Sequence, residues 1–219
     1  MPSQTFAEGA LDAAQQTGKL NYDGYKKVWS DEFNGDSLNR ADWNVETHEK
    51  GWVNNELQEY VDSAENIQVK DGKLIINPVK KVTDGDTGST KEAASYTSGR
   101  VSTQNKQTFI YGRFECRAKV PKGQGYLPAF WLMANDENVY GQWPRCGEID
   151  CMEVMGQETN KAYGTLHYGN PHSQSQGTYT ITDGADFSDD FHIYTCDWEP
   201  GKITWYVDGV KYHEESEWH

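Results

Sequence analysis

Residues 147–156 read Gly147-Glu148-Ile149-Asp150-Cys151-Met152-Glu153-Val154-Met155-Gly156. On a regular strand alternate side chains share a face, so Glu148 and Asp150 point together. Glu153 comes three positions after Asp150 and would face the other way. One β-bulge between them absorbs the odd residue, returns Glu153 to the first face and leaves Ile149 and Met152 for the core. Three carboxylates on one face of an apolar strand repel one another and are partly desolvated, which raises the pKa of at least one. One carboxyl kept protonated beside another left ionised is what glycoside hydrolysis requires. With the bulge, Glu148 and Glu153 stand roughly 13 Å apart at Cα, at about 3.3 Å per residue. Side chains leaning together over a concave sheet bring the carboxyls to about 5–6 Å, near the roughly 5–5.5 Å of a retaining mechanism. From the carboxylates alone, a solvated acidic edge strand explains the run equally well.

Working outward, the punctuation from Tyr25 onward is that of an all-β chain, with short apolar or alternating runs broken by Gly, Asn, Asp and Pro. Strands are expected at Lys73–Pro78, Tyr111–Val120, Pro128–Ala134, Gly147–Val154, Ala162–Tyr168, His192–Trp198 and Lys202–Val207. Asp208-Gly209 between two aromatic runs signals a tight hairpin. Residues 1–24 read as a lead-in with a short helix near Ala7–Gln16, residues 25–219 as one domain, and Lys80–Ala94 as a mobile loop. No βαβ alternation is visible, which favours a β-sandwich over a parallel-sheet fold.

Composition narrows the function. The net charge of −14 disfavours nucleic acid and anionic membrane as partners, since both need a basic footprint. No run approaches the roughly 18 apolar residues of a membrane span. Aromatics make up 13% of the chain, suiting β-structure and stacking surfaces. Cys116, Cys146, Cys151 and Cys196 fit no zinc spacing and read as isolated buried thiols. His213 and His219 are six apart, the wrong spacing for a zinc-protease helix. Neither a phosphate-binding loop nor a G-x-S-x-G elbow is present.

Sugars offer apolar ring faces and polar edges, so their sites pair indoles with hydrogen-bonding side chains. Taken singly, Trp131 reads as core, Trp143 as an exposed loop residue and His167 as a structural histidine. Their order along the chain says more. The run GEIDCMEVMG, with AFWLM (129–133) and GQWP (141–144) before it and GTLHYG (164–169) after it, resembles glycoside hydrolase family 16. It is most similar to the bacterial laminarinase-type endo-β-1,3-glucanases and their mixed-linkage relatives. WSDEFNG (29–35), NNELQEY (54–60), DGKLII (71–76) and YTSGRV (96–101) extend the resemblance from about residue 25 to the end.

The resemblance implies a β-jelly-roll sandwich of two antiparallel sheets with a concave sugar-binding cleft. It makes Glu148 the nucleophile and Glu153 the general acid/base, with Asp150 orienting the nucleophile. It places Trp131 and Trp143 near the cleaved bond or the adjoining glycone subsites, and His167 close to the acid/base. Asn55 and Arg100 would hydrogen-bond sugar hydroxyls, and Trp52, just upstream, would join them. No cofactor is expected for catalysis. A structural Ca²⁺ is expected on the convex face, held by Glu32 and the carbonyl of Gly72, oxygen donors that suit a hard cation. Family domains continue through further strands, so a C-terminally incomplete domain is expected here.

The implied activity is endo-acting, retaining hydrolysis of β-1,3 or mixed-linkage glucan by a secreted monomer, with the signal peptide absent from this sequence. A relative acting on galactans, as agarases and carrageenases do, is the alternative; the Asn54–Tyr60 run favours the glucanase. A non-catalytic β-glucan-binding protein on the same fold is disfavoured because all three carboxylates are present.

Overall fold

The computed structural model of the protein describes residues 21–81 and 95–218. The expected helix at Ala7–Gln16 and most of the expected loop at 80–94 lie outside these residues. The described residues form two compact units, those within 31–108 in one, and 21–30 with 109–218 in the other.

The 31–108 unit carries seven short strands among its described residues: β1 (Asn44–Val45), β2 (Gln58–Tyr60), β3 (Ile67–Lys70), β4 (Lys73–Ile76), β5 (Val79–Lys81), β6 (Ser95–Ser98) and β7 (Val101–Ser102). Lys80 and Lys81 belong to β5, so the expected loop begins too early; two exposed lysines suit a strand at a sheet edge. β6 lies between β5, which runs antiparallel to it, and β2, which runs parallel. β3 and β4 form a hairpin whose two turn residues, Asp71 and Gly72, both have positive φ (52° and 67°). That turn twists with the strands and favours Asp-Gly.

The other unit contains β8 (Gly112–Ala118), β9 (Ala129–Met133), the one-turn helix α1 (Glu137–Tyr140), β10 (Glu148–Glu153), β11 (Lys161–Tyr168), β12 (Ser173–Thr180), β13 (His192–Glu199), β14 (Lys202–Val207) and β15 (Val210–Glu215). These strands make two four-stranded antiparallel sheets, ordered β12-β11-β10-β9 and β15-β14-β13-β8. The expected strands fall on β4, β8, β9, β10, β11, β13 and β14. β12 was not anticipated: its sequence, Ser-Gln-Ser-Gln-Gly-Thr-Tyr-Thr, lacks an apolar stripe. The Asp208-Gly209 turn is as expected, with φ of 48° and 77° between Val207 and Val210.

The sheets meet through β10 against β13 and β12 against β15. Two apolar clusters fill the gap. One gathers Phe114, Ile149, Cys151, Leu166, Cys196, Ile203 and Trp205; the other Val120, Met152, Val154, Ala162, Phe187, Tyr194 and Val207. All four cysteines are unbridged; Cys151 and Cys196 are buried, while Cys116 and Cys146 are only partly so.

The outer face of the β8–β13 pair carries charge. Arg113 on β8 makes a two-pronged bond to Asp197 on β13 (Nε to Oδ1 2.6 Å, Nη2 to Oδ2 2.7 Å). The chain where the lead-in meets the domain covers it: Tyr25 lies over the guanidinium at 4.4 Å, and Tyr22 donates to Glu115 at 2.9 Å. An aromatic lid with full hydrogen bonding is how a buried ion pair is tolerated.

Two glycines set the inter-sheet distance. Gly164 on β11 and Gly177 on β12 are cross-strand partners. A Cβ at Gly164 would overlap the Trp205 ring and the Tyr212 hydroxyl, and one at Gly177 would overlap His213. The missing side chains make room for the stacked pair Trp205–His213, whose centroids are 4.7 Å apart. Gly164→Ala is therefore expected to cost about 1–3 kcal/mol through overpacking. Urea unfolding checks this, and a loss below about 0.5 kcal/mol would contradict it.

Candidate active site

The site is built on β10. Against β9 its register runs Asp150 opposite Trp131, then Met152 opposite Phe130; against β11 it runs Asp150 opposite Thr165, then Glu153 opposite Tyr163. One extra residue, Cys151, is thus accommodated between Asp150 and Glu153. Cys151 and Met152 are consecutive and both enter the core, at 1% and 3% exposure. Glu153 thereby returns to the face of Glu148 and Asp150, as the spacing required. The bulge is held from the opposite sheet: Trp205 Nε1 donates to the Asp150 carbonyl at 2.9 Å.

Cross-strand partners share a face, so the register decides who joins the carboxylates. Trp131 is opposite Asp150 and His167 is opposite Glu148. Trp131, which alone reads as a core residue, therefore lies on the carboxylate face, while its neighbours Phe130 and Leu132 pack against the core. Trp143, in the turn before β10, donates from Nε1 to Glu148 Oε2 at 2.6 Å. His167 Nε2 stands 3.2 Å from Asp150 Oδ2. It is thus paired with Asp150 and set across from Glu148, and its charge also acts on Glu153.

Burial gives this face its electrostatics. Asp150 is 2% exposed, and Glu148 and Glu153 are half-buried. Burial, then the charge of Asp150, pushes both glutamates up to about 7. The Trp143 hydrogen bond and the His167 charge oppose this at Glu148; at Glu153 only His167 does. His167 is itself raised, chiefly by its bond to Asp150, against the effect of burial. Donor atoms of Glu148, Asp150 and His167 lie within 4.8 Å of one another. Within this group Glu148 accepts from Trp143, and Asp150 faces His167.

The remaining expected residues lie in the 31–108 unit and are described on their own. Trp52 stacks on His48 at 3.5 Å between centroids, and the Arg100 guanidinium lies 5.1 Å from the Trp52 ring. Arg100 Nε also donates to Glu46 Oε2 at 2.5 Å, which His48 Nε2 approaches at 3.2 Å. Burial raises the Glu46 pKa, but the charge of Arg100 together with hydrogen bonds from Ser102, Arg100 and His48 outweighs it and holds the carboxyl low. Asn55 is exposed, and like Asn54 it has a left-handed backbone (φ 54° and 52°). Trp52 and Arg100 thus form an aromatic–cation platform with Asn55 a few residues along the chain. Glu32 belongs to no group of three His, Cys, Asp or Glu donors within ion-binding reach among the described residues. Gly72 has the positive φ of the β3–β4 turn.

Residues 54–218 match the model of glycosyl hydrolases family 16. The chain belongs to that family. This family-16 chain is 43% identical over 192 residues to a glucan endo-1,3-beta-glucosidase of Cryptopygus antarcticus, covering 86% of this chain and 68% of that protein. It is 40% identical over 204 residues to glucan endo-1,3-beta-glucosidase A1 of Niallia circulans, covering 87% of this chain but 29% of the relative. The laminarinase catalytic domain of Thermotoga maritima superposes with a TM-score of 0.73 at 39% identity, over 86% of this chain and 76% of that one. The jelly-roll fold follows from this likeness. Family-16 glycosidases need no catalytic cofactor.

A further side chain packs on this group without a counterpart among the expected residues. His172, in the turn after β11, contacts both His167 and Trp143. Its only signal was a second histidine five positions after His167 in a Gly-Asn-Pro-His turn.

The raised glutamates also set a pH dependence of stability. Each has a folded pKa near 7 against 4.5 for the free group, so the folded state binds these protons more tightly. The resulting stability is full below about 4.5 and is lost as pH rises through about 7. Urea unfolding of Glu153→Gln is expected to lose less stability than wild type between pH 4.5 and 8. Parallel curves for the two proteins would refute the assignment.

Proposed function

We propose that this chain is an endo-acting, retaining β-glucanase that hydrolyses internal β-1,3 bonds, mixed-linkage β-1,3-1,4 glucan included. The observation that carries the assignment of roles is the Trp143–Glu148 hydrogen bond. A donor on a carboxylate favours its ionised form, and among the described residues no hydrogen-bond donor reaches Glu153. Two glutamates in similarly dry surroundings thus differ, Glu148 suited to attack and Glu153 suited to hold a proton.

In the first step the Glu148 carboxylate attacks C1 while Glu153 gives its proton to the departing glycosidic oxygen, leaving an ester between Glu148 and the sugar. In the second, Glu153, now a carboxylate, takes a proton from water as that water attacks C1. The ester bond breaks, and Glu148 leaves as a carboxylate. Burial first, and then the nearby negative charge of Asp150, favour the protonated form of Glu153, which the His167 charge opposes. Trp131, on the same face, offers an apolar surface for a sugar ring. The Trp52–Arg100 platform and Asn55 are read as contacts for glucan hydroxyls and ring faces. Polymeric glucans do not cross membranes, so the enzyme is read as acting outside the cell. A structural Ca²⁺ on Glu32 and the Gly72 carbonyl would supply fold stability and no step of the reaction; two protein ligands leave most of the six to eight oxygen positions to others.

Two measurements test these readings. Reducing-end release is expected from laminarin or barley mixed-linkage glucan, and not from carboxymethylcellulose or agarose. In Glu148→Gln it should fall roughly a thousandfold or more while the fold is retained. Normal turnover in that variant would sink the assignment. For calcium, added Ca²⁺ should raise the Tm of wild type and leave Glu32→Ala unmoved; equal responses would remove the site.

A further inference from the structure

His172 touches none of the three carboxylates, yet it joins the two side chains that do. Its Nε2 lies 3.0 Å from His167 Nδ1, and the two rings are stacked at 5.2 Å with 24° between planes. On the other side it packs against the Trp143 ring at 5.0 Å. Trp143 and His167 also meet, at 6.0 Å. Trp143 donates to Glu148, and His167 faces Asp150. We propose that His172 is a positioning residue, which clamps these two arms in a single arrangement and fixes the proton placement of His167. The inference rests on the reaction proposed above and adds a residue to it.

The chemistry follows from the two ring nitrogens of His167. Nε2 faces an anionic oxygen and so carries hydrogen, which leaves Nδ1 to be defined by its other neighbour. When His167 is neutral, Nδ1 accepts from His172 Nε2–H. When His167 is charged, its Nδ1–H donates to the lone pair of a neutral His172. One proton lies between the rings in either state, and charging both rings brings like charges together. The groups facing His167 are Glu148, Asp150 and Glu153 on β10, with the uncharged Trp143 and, across β12, the uncharged Gln174. The charged form of His167 therefore gains from the acids on one side and from the His172 acceptor on the other. That charge in turn favours ionisation of Glu148 and Glu153. His172 is exposed in a turn, so it contributes little to the core.

The test compares wild type with His172→Ala and with His172→Gln, whose carbonyl oxygen can again accept from Nδ1–H. NMR titration of the His167 imidazole in the folded proteins is the first readout. Its midpoint should fall in His172→Ala and move back toward wild type in His172→Gln. In the alanine variant kcat should drop roughly 10- to 100-fold through misplacement of the two arms, with KM within about twofold and Tm within about 2 °C. Both limbs of the pH–rate profile should move to higher pH, because a less charged His167 no longer favours the ionised glutamates. An unmoved His167 midpoint, or a loss of kcat with unshifted limbs, would overturn the proposal. The titration is read whether or not glucan is cleaved. An inactive wild type would overturn the reaction assigned above, while the hold of His172 on His167 stands or falls on the imidazole midpoint.

Discussion

The extra residue in β10 is the constraint on which the candidate site depends. Were the strand regular over the same sequence, Glu153 would face the core and Met152 would face solvent. A bulge locally breaks the ladder, so the peptide group there needs a partner from elsewhere. Trp205 provides it, reaching across the sandwich to the Asp150 carbonyl from a fully buried position. Trp205 fits only because β11 has no side chain at Gly164. A glycine on one strand, an indole in the opposite sheet and a carbonyl at the bulge thus form one chain of cause, ending in three carboxylates on one face.

That face stores opposed tendencies. Removing three acids from water penalises every ionised form, and Asp150 adds repulsion to both glutamates. Left to burial alone, Glu148 and Glu153 would behave alike. What distinguishes them lies off the strand: an indole N–H donates to Glu148 alone, whereas the His167 charge acts on both. A residue in the turn before β10 thus distinguishes two carboxyls that the strand leaves nearly equal.

Much of this was legible in the sequence, for definite reasons. A period of two together with an odd spacing of acids leaves a bulge as the simple way to put Glu148, Asp150 and Glu153 on one face. Asp208-Gly209 could be read because a two-residue turn with positive φ leaves few residue choices. β12 could not be read, since a strand exposed on alternate positions and bearing Ser, Gln and Thr has no apolar signature. Trp131 was ambiguous alone because a tryptophan suits core and cleft equally; only its register opposite Asp150 decides its face. His172 and the Trp143–Glu148 bond depend on how turns fold back over the strand, and no local spacing encodes that. The parallel pairing of β2 with β6 joins residues far apart in sequence and is hidden for the same reason.

The pairing of β8 with β13 carries a consequence for biosynthesis. β13, β14 and β15 form a local meander closed by short turns, whereas Arg113 and Asp197 are separated by 84 positions. Contacts so distant form slowly, because loop closure must precede them. At about 5–20 residues per second of translation, β8 leaves the ribosome roughly 4 to 17 seconds before its partner exists. Through that interval a strand with a Phe, a Cys and an unpaired row of backbone donors stands open to other nascent chains. Arg113, Glu115 and Arg117, on its outer face, put charge on that edge, and charge is what keeps an unfinished sheet from finding the wrong neighbour.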